Sequence, residues 1–202
     1  MPLTRFTAEE ILYYCVSILV IVTFGAGFTR FFAHSFAHPP PEDEVGFDFN
    51  PPAVLDIVGT IVFFLAGFGW GKQVDDQKIR FKKQKLGWLI ISLIAPFASL
   101  VVALTAAYIK YFLWTDRVIE VLLSLSVTAT AYHIMPIPPM AASRLIYLAI
   151  PRSQEVIWRI FFKAGPFIIL AMVLFDRFSG IPFLRQTLAP VVDAVARFAA
   201  YH

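Results

Sequence analysis

The chain has 202 residues, of which 58% are hydrophobic and only 15% are charged, with a mean hydropathy of +0.71. Soluble domains are nearer half apolar and a quarter charged, so this composition excludes an ordinary soluble protein. The net charge is only +3, and the single cysteine, Cys15, excludes an intrachain disulfide. We therefore expect an all-α integral membrane protein, a multi-pass (polytopic) bundle of about four to six transmembrane helices.

Five apolar segments follow one another along the chain. A predominantly apolar helix of about 20 residues crosses the roughly 30 Å of hydrocarbon in a bilayer. The segments are predicted at about residues 11–32, 53–70, 86–112, 118–135 and 157–175. The second is short and interrupted by glycines. It is therefore either a short span or a re-entrant element.

The last part of the chain has a different pattern. From Leu188 onward an amphipathic helix is predicted, which lies at the membrane interface or packs on the bundle. Its apolar side is predicted to carry Val191, Val192, Val195 and Phe198. We therefore divide the chain into a transmembrane domain, residues 1–180, and an amphipathic C-terminal helix, residues 181–202.

Two loops differ in charge. Residues 71–86 hold six cationic and two acidic side chains, whereas residues 30–52 hold one cationic and four acidic side chains. The positive-inside rule predicts that loop 71–86 is cytoplasmic and that loop 30–52 lies on the other side. The basic loop lacks aromatic side chains suited to base stacking. Its expected partners are anionic membrane lipids and not nucleic acid.

His34 and His38 are four residues apart at the end of the first apolar segment. On a helix this spacing places two imidazoles on one face, as a zinc site requires. The alternative is that both are polar residues at the point where the helix leaves the membrane, just before the prolines at 39–41. The spacing alone leaves both interpretations open.

Three stretches, in order, resemble motifs of the site-2 protease family of intramembrane zinc metalloproteases. NPPAVLDIVGT (50–60) resembles the family's NPxxHxDPxGT segment. GFGWGKQV (67–74), followed by LIAPFASLVVAL (93–104), resembles GFGWAKPV and the helix with AGPxxN. MPIPPMAASRLIYLAIP (135–151) resembles LPIPPLDGxR and the helix after it. The resemblance covers roughly residues 11–180 and implies the transmembrane core of that family.

The family's chemistry uses the two histidines of an HExxH motif and a distant aspartate as zinc ligands, the glutamate as general base, and an asparagine near the substrate. At the matching positions the resemblance places Phe24 and Phe28 for the histidines, Gly25 for the glutamate, Ser99 for the asparagine and Ala141 for the aspartate. It therefore implies no catalytic residue, no metal and no cofactor. We expect Phe24, Phe28 and Ala141 to fill the former active-site cavity with apolar side chains.

The other histidines do not restore the motif. If HSFAH is aligned with HExxH instead, Ser35 replaces the glutamate, and a serine hydroxyl is no general base near neutral pH. His133 stands at the asparagine-like position of the family's NLLPIPP segment. We interpret it as a polar contact or helix cap. His34 and His38 stay candidates for metal ligands completed by another subunit.

Three functions are compatible with this pattern. The first is a pseudoenzyme, a site-2 protease-like membrane protein that acts as an accessory or structural subunit of a larger complex, with respiratory and photosynthetic assemblies as candidate hosts. The second is a regulatory pseudoprotease that binds transmembrane substrates without cleaving them. The third is an active enzyme that uses His34 and His38 with an unrecognised third ligand.

Overall fold

The computed structural model describes residues 7–39, 50–74 and 79–201. Within these ranges the chain forms eight α-helices and no strand, which confirms the all-α class. A π-helical turn, Ile109–Leu113, extends α4, and a 3-10 turn, Arg152–Gln154, precedes α7. The helices are α1 Ala8–Ser35, α2 Pro51–Val54, α3 Ile57–Ala66, α4 Gln84–Tyr108, α5 Arg117–Tyr132, α6 Ser143–Ala149, α7 Glu155–Ser179 and α8 Phe183–Tyr201.

Three helices of the described chain are long and apolar enough to cross a membrane. They are Ala8–Ser35, Gln84–Leu113 and Glu155–Ser179, with mean hydropathies of 2.2, 2.4 and 1.8. They coincide with the first, third and last predicted segments, and they make this chain a membrane protein. Helix α5 has 16 residues and spans about 24 Å at 1.5 Å per residue, which is less than the hydrocarbon thickness. The predicted total of four to six spans stays a prediction.

Helices α1 and α4 pack antiparallel at the centre of the bundle. Ile18 and Val22 share an apolar cluster with Val102, and Ala33 shares another with Trp88 and Ile91. A reciprocal capping box opens α1, in which Thr7 Oγ1 accepts a hydrogen bond from the Glu10 amide and the Glu10 carboxylate accepts one from the Thr7 amide. Such a box satisfies two main-chain donors at a helix N-terminus.

The second apolar segment does not cross the bundle. Helix α3 has ten residues, or about 15 Å, roughly half of the hydrocarbon thickness. It ends at Gly67 in the left-handed conformation, φ 79°, and the chain then folds back along α3. This return is possible because two glycines meet there: a Cβ added to Gly69 would lie 2.2 Å from the Gly59 carbonyl oxygen. Of the two alternatives for residues 53–70, the structure has the re-entrant one.

The predicted placement of loops 30–52 and 71–86 on opposite sides is wrong. The His38 amide donates a hydrogen bond of 2.8 Å to the Arg80 carbonyl oxygen, and Ala33 packs in one cluster with Ile79 and Phe81. Both loops therefore meet at the same end of the molecule, which we call the basic end. The physical reason is the short α3, which enters and returns without a crossing. The cytoplasmic location of residues 71–86 stays a prediction.

Helix α8 packs on the bundle. Leu184, Leu188 and Ala199 are buried against residues of α4, α5 and α7, and Val192 and Val195 are partly buried. Phe198, predicted on the apolar side, is instead 47% exposed. The buried side is thus turned slightly from the predicted one, so that Ala199 and not Phe198 packs in the cluster with Ala103 of α4. The domain boundary at residue 180 stays a prediction.

Asp56 caps α3, and its loss is expected to destabilise the re-entrant segment. The Asp56 carboxylate accepts a hydrogen bond of 2.7 Å from the Gly59 amide. Asp56→Ala should lower the free energy of unfolding by about 1 kcal/mol, because an N-terminal amide of the helix loses its partner. Thermal unfolding of the purified protein in mild detergent measures this. Asp56→Asn retains an acceptor and should stay close to the native protein; an equal loss for both variants would contradict the capping role.

Candidate functional site

A cavity lies at mid-height of the bundle between α1, α4 and the two turns that follow α3 and α5. Its volume is about 50 Å³. Gly25 and Thr29 of α1, Ser99 of α4, and His133 and Arg144 after α5 are among its lining residues. Ala141 lies beside it, because the Ala141 carbonyl oxygen is 3.5 Å from the Ser92 hydroxyl on the cavity wall.

The structure brings together three of the positions singled out by the resemblance. The resemblance aligns Gly25, Ser99 and Ala141 with the family's general base, asparagine and aspartate, and in the structure all three lie at or beside this cavity. They come from three separate parts of the chain. The match of these positions to the family's catalytic residues stays a prediction.

The hydroxyl groups at the cavity are engaged with their own helices. Thr29 Oγ1 donates to the Gly25 carbonyl oxygen at 2.6 Å, and Ser99 Oγ donates to the Ala95 carbonyl oxygen at 3.1 Å. Serine and threonine often satisfy themselves in this way inside helices. Neither hydroxyl hydrogen-bonds to a histidine or carboxylate that could activate it, so the cavity holds no prepared nucleophile among these groups.

His133 ends α5 and also borders the cavity. It is the C-cap residue of α5, and its carbonyl oxygen accepts a hydrogen bond of 3.0 Å from the Ala142 amide, which closes the turn containing PIPP. The cap was one of the two roles predicted for it. The imidazole is buried, and Nδ1 has no hydrogen-bond partner within the described part of the chain.

The prediction that Phe24 and Phe28 fill the cavity is wrong. Phe24 is 37% exposed, and neither residue lines the cavity. Their rings stack on each other at 5.9 Å, and the stack continues through Phe32 to Phe36 along another side of α1. The small Gly25 and Ala26 face the cavity instead, and a Cβ on Gly25 would have no heavy atom nearer than the Ala95 oxygen at 3.9 Å. The cavity therefore stays open.

His34 and His38 do not share a helix. Helix α1 ends at Ser35, so His38 lies beyond its last turn, where its amide bonds to the Arg80 carbonyl oxygen. The one-face geometry that would favour a zinc pair is therefore absent. Across residues 7–39, 50–74 and 79–201, no group of three or more His, Cys, Asp or Glu side chains is placed to hold a metal ion.

Arg144 was missed by the sequence analysis as a site residue. Its side chain is only 4% exposed, and its guanidinium carbon lies 5.0 Å from the Trp88 ring centroid and 4.8 Å from that of Phe162. Tyr147 and Trp158 complete this aromatic cage at 5.9 and 5.8 Å. Such contacts stabilise a cation electrostatically, more strongly when it is desolvated. The i, i+3 spacing of Arg144 and Tyr147 is the one sequence signal that could have indicated the cage.

Comparison with known proteins gives one distant similarity that bears on this site. The chain is 23% identical over 164 residues to a protein of Bacillus subtilis (strain 168) described as "Putative zinc metalloprotease YwhC". The match covers 71% of this chain and 75% of that protein. No protein-family model and no solved structure matches the chain. The similarity supports a distant, site-2 protease-like relationship.

Proposed function

We propose that this chain is a non-catalytic, site-2 protease-like membrane protein that serves as an accessory subunit of a larger membrane complex. One observation carries the proposal. The positions that match the family's base, asparagine and aspartate converge on one cavity, where this chain has Gly25, Ser99 and Ala141. In this proposal the chain retains the architecture of the family's site with side chains that cannot perform its reaction.

The chemistry of peptide hydrolysis explains why these substitutions matter. A catalytic zinc site needs about three protein ligands with an open position for water, and a base to accept a proton from that water. The hydrogen atom of Gly25 and the methyl group of Ala141 supply neither a ligand nor a base. His133 provides one imidazole at the cavity, which is too few to hold a zinc ion by itself.

Partner contact is proposed through the stacked phenylalanine rings on α1 and through the basic end. The rings of Phe24, Phe28, Phe32 and Phe36 follow one another at 5.9, 6.4 and 5.7 Å. This forms a long ridge of stiff aromatic side chains on the outside of the helix. Association of helices within lipid depends on van der Waals packing, for which a rigid ridge offers a well-defined surface.

The open cavity favours a second candidate function. A regulatory pseudoprotease must retain room for part of a transmembrane segment. Phe24 and Phe28 do not fill the cavity, but its volume of about 50 Å³ would have to widen to admit such a segment. In this alternative the chain binds membrane-embedded clients at the cavity and releases them uncleaved. The two functions differ in whether the partner is permanent or transient.

Zinc content tests the loss of catalysis. We expect the full chain, purified in mild detergent without chelators, to contain far less than one zinc ion per molecule, because His133 is the one histidine among the described residues that line the cavity. Elemental analysis against protein concentration measures this. One tightly held zinc per chain that disappears in His133→Ala, but not in His202→Ala, would contradict the proposal.

Isolation from native membranes separates the two functions. If one partner is recovered at constant stoichiometry, the result supports the role as an accessory subunit. If different membrane proteins are recovered, and only after crosslinking, the result supports the role as a regulatory pseudoprotease. The paired change Phe24→Ala and Phe28→Ala should reduce recovery of a fixed partner. Phe175→Ala with Phe178→Ala, also on an exposed helix surface, is the matched control. Equal recovery with both pairs would show that the ridge is not the contact.

A further inference from the structure

Helix α4 ends in a π-helical turn that carries large exposed side chains. The turn is Ile109–Leu113, and the Trp114 amide closes it by donating to the Ile109 carbonyl oxygen at 2.9 Å. Five large side chains on it or beside it are 56–70% exposed, and we call them the aromatic turn: Tyr108, Tyr111, Phe112, Leu113 and Trp114. We propose that the aromatic turn inserts at the boundary between the headgroups and the acyl chains of a membrane, in the leaflet opposite the basic end. The inference does not rest on the proposed function.

The length of α4 places the aromatic turn at this depth. Between Lys85, near the basic end, and Lys110 the helix has no charged residue over residues 86–109. At about 1.5 Å per residue this stretch rises about 36 Å, which is more than the roughly 30 Å of hydrocarbon. A span that begins at Leu86 and is tilted by the usual angle of about 20° therefore reaches the opposite edge of the hydrocarbon near Tyr108. The residues after Tyr108 then lie in the headgroup region, which brings the whole bilayer to about 40–45 Å.

The exposed side chains of α4 change in type at the same level. In the middle of the helix the large ones are Leu93, Phe97 and Val101, whose side chains are wholly apolar. In the aromatic turn three of the five are tyrosine or tryptophan, whose rings are apolar and whose O–H or N–H groups can reach water. Such amphipathic rings are enriched at membrane–water interfaces, where one end of the ring is in an apolar environment and the other is wet.

Charged residues next to the aromatic turn limit how deep it can lie. Lys110 Nζ lies 3.3 Å from the Glu120 carboxylate, and the Arg117 guanidinium donates to the same carboxylate at 3.1 Å. Asp116 begins α5 as its N-cap. Ionised side chains are costly inside hydrocarbon, so this group of charges lies outside it, whereas the rings beside them disfavour water. The headgroup boundary satisfies both requirements, and neither bulk water nor the centre of the bilayer does.

Anchoring at this point sets the depth of the cavity. Lys110 pairs with Glu120 of α5 and lies over the Tyr111 ring at 5.7 Å, so the aromatic turn is joined to the beginning of α5. Ser99, which lines the cavity, precedes Tyr108 by about 14 Å along α4, or about half of the hydrocarbon thickness. An aromatic turn held at the boundary therefore keeps the cavity near the middle of the membrane.

Fluorescence quenching by brominated lipids tests the proposal on the full chain in phosphatidylcholine vesicles. Trp70, Trp88 and Trp158 are at most 4% exposed, whereas Trp114 is 64% exposed, so bromine carried by lipids reaches chiefly Trp114. Bromine near the headgroups should quench the native emission about twofold more than bromine near the ends of the acyl chains. Trp114→Phe should remove about half or more of the quenching by bromine near the headgroups, because the three indoles that remain are buried. Unchanged quenching in Trp114→Phe would overturn the proposal.

A tryptophan in the middle of α4 is the matched control. Phe97 is also 64% exposed and lies about 16 Å along the helix from Leu86. Phe97→Trp in the Trp114→Phe background should show the reverse order, with stronger quenching by bromine near the ends of the acyl chains. The same order in this variant and in the native protein would overturn the proposal, because the aromatic turn would then lie no nearer to the headgroups than Phe97.

Iodide present on both sides of the vesicle membrane distinguishes the other positions of the turn. Iodide in water should quench Trp114 several-fold less than it quenches free tryptophan, because an indole at the boundary is partly covered by lipid. Quenching equal to that of free tryptophan would place the turn in water. Weak quenching by iodide and by both lipids would place the turn against protein, such as a second copy of the chain. Either result would overturn the proposal.

Discussion

Phe68→Ala is expected to lower the free energy of unfolding by about 3–5 kcal/mol, the usual range for removing a fully buried aromatic ring. Phe68 has no exposed surface, and its ring stacks on that of Tyr132 with centroids 3.8 Å apart. Together with Trp70, Met135 and Ile169 it forms the cluster that joins the re-entrant segment to α5 and α7. In lipid the loss comes chiefly from van der Waals contacts and from the cavity left behind.

Unfolding of the purified protein in mixed detergent micelles measures this change. Phe178→Ala is the matched control, because Phe178 is 83% exposed and its ring contributes little to internal packing. We expect the control to stay within about 0.5 kcal/mol of the native protein. Similar losses for both variants would mean that the re-entrant segment is not anchored through Phe68.

Gly165→Ala is expected to destabilise the protein by about 2–3 kcal/mol, although alanine is the better helix former by about 1 kcal/mol. A Cβ at Gly165 would lie 2.2 Å from the Pro138 carbonyl oxygen and 2.8 Å from the Pro138 carbonyl carbon. Both atoms belong to the main chain of the turn containing PIPP, so no side chain can move aside. Helix α7 would have to shift away from that turn.

Gly25→Ala provides the control for Gly165→Ala. Gly25 also lies inside a long helix, but a Cβ there would lie 3.9 Å from the nearest heavy atom, the Ala95 carbonyl oxygen. The thermal midpoint in detergent should therefore stay the same or rise, because the helix gains up to about 1 kcal/mol of propensity. If both alanine variants melt at the native temperature, the close contact between α7 and the turn is contradicted.

The long helices could be predicted from the sequence because each is a nearly continuous apolar run. The stretch 53–70 is equally apolar, but its path depends on a contact that hydropathy does not show. Gly59 and Gly69 allow main chains to approach within a distance that any Cβ would prevent. Gly67 also ends α3 in a left-handed conformation that favours glycine. The fold of this segment therefore depends on glycine pairing across ten residues.

The assignment of Gly25, Ser99 and Ala141 to a former active site stays a prediction, but their proximity in the structure was foreseeable. Gly25, Ser99 and Ala141 could be placed near one another because the motifs that contain them follow the same order along the chain as in the family that the sequence resembles. The direction of the α1 side chains could not be fixed in this way, since neighbouring residues on a helix point about 100° apart. Gly25 therefore faces the cavity while Phe24 faces outward. The aromatic cage around Arg144 combines rings from α4, α6 and α7. Residues so far apart in the sequence form no short motif from which the cage could be predicted.

The hydrogen bond between His38 and Arg80 bears on how many times the chain has crossed the membrane before α4 begins, and so on the side from which α4 starts. Between the end of α1 and the beginning of α4 the chain returns to the end from which it departed. Residues 53–70 thus contribute no membrane crossing, and the segments that follow them begin from the same side as the end of α1. A hydropathy count that scores this stretch as one passage would invert the orientation of everything from α4 to the C-terminal helix.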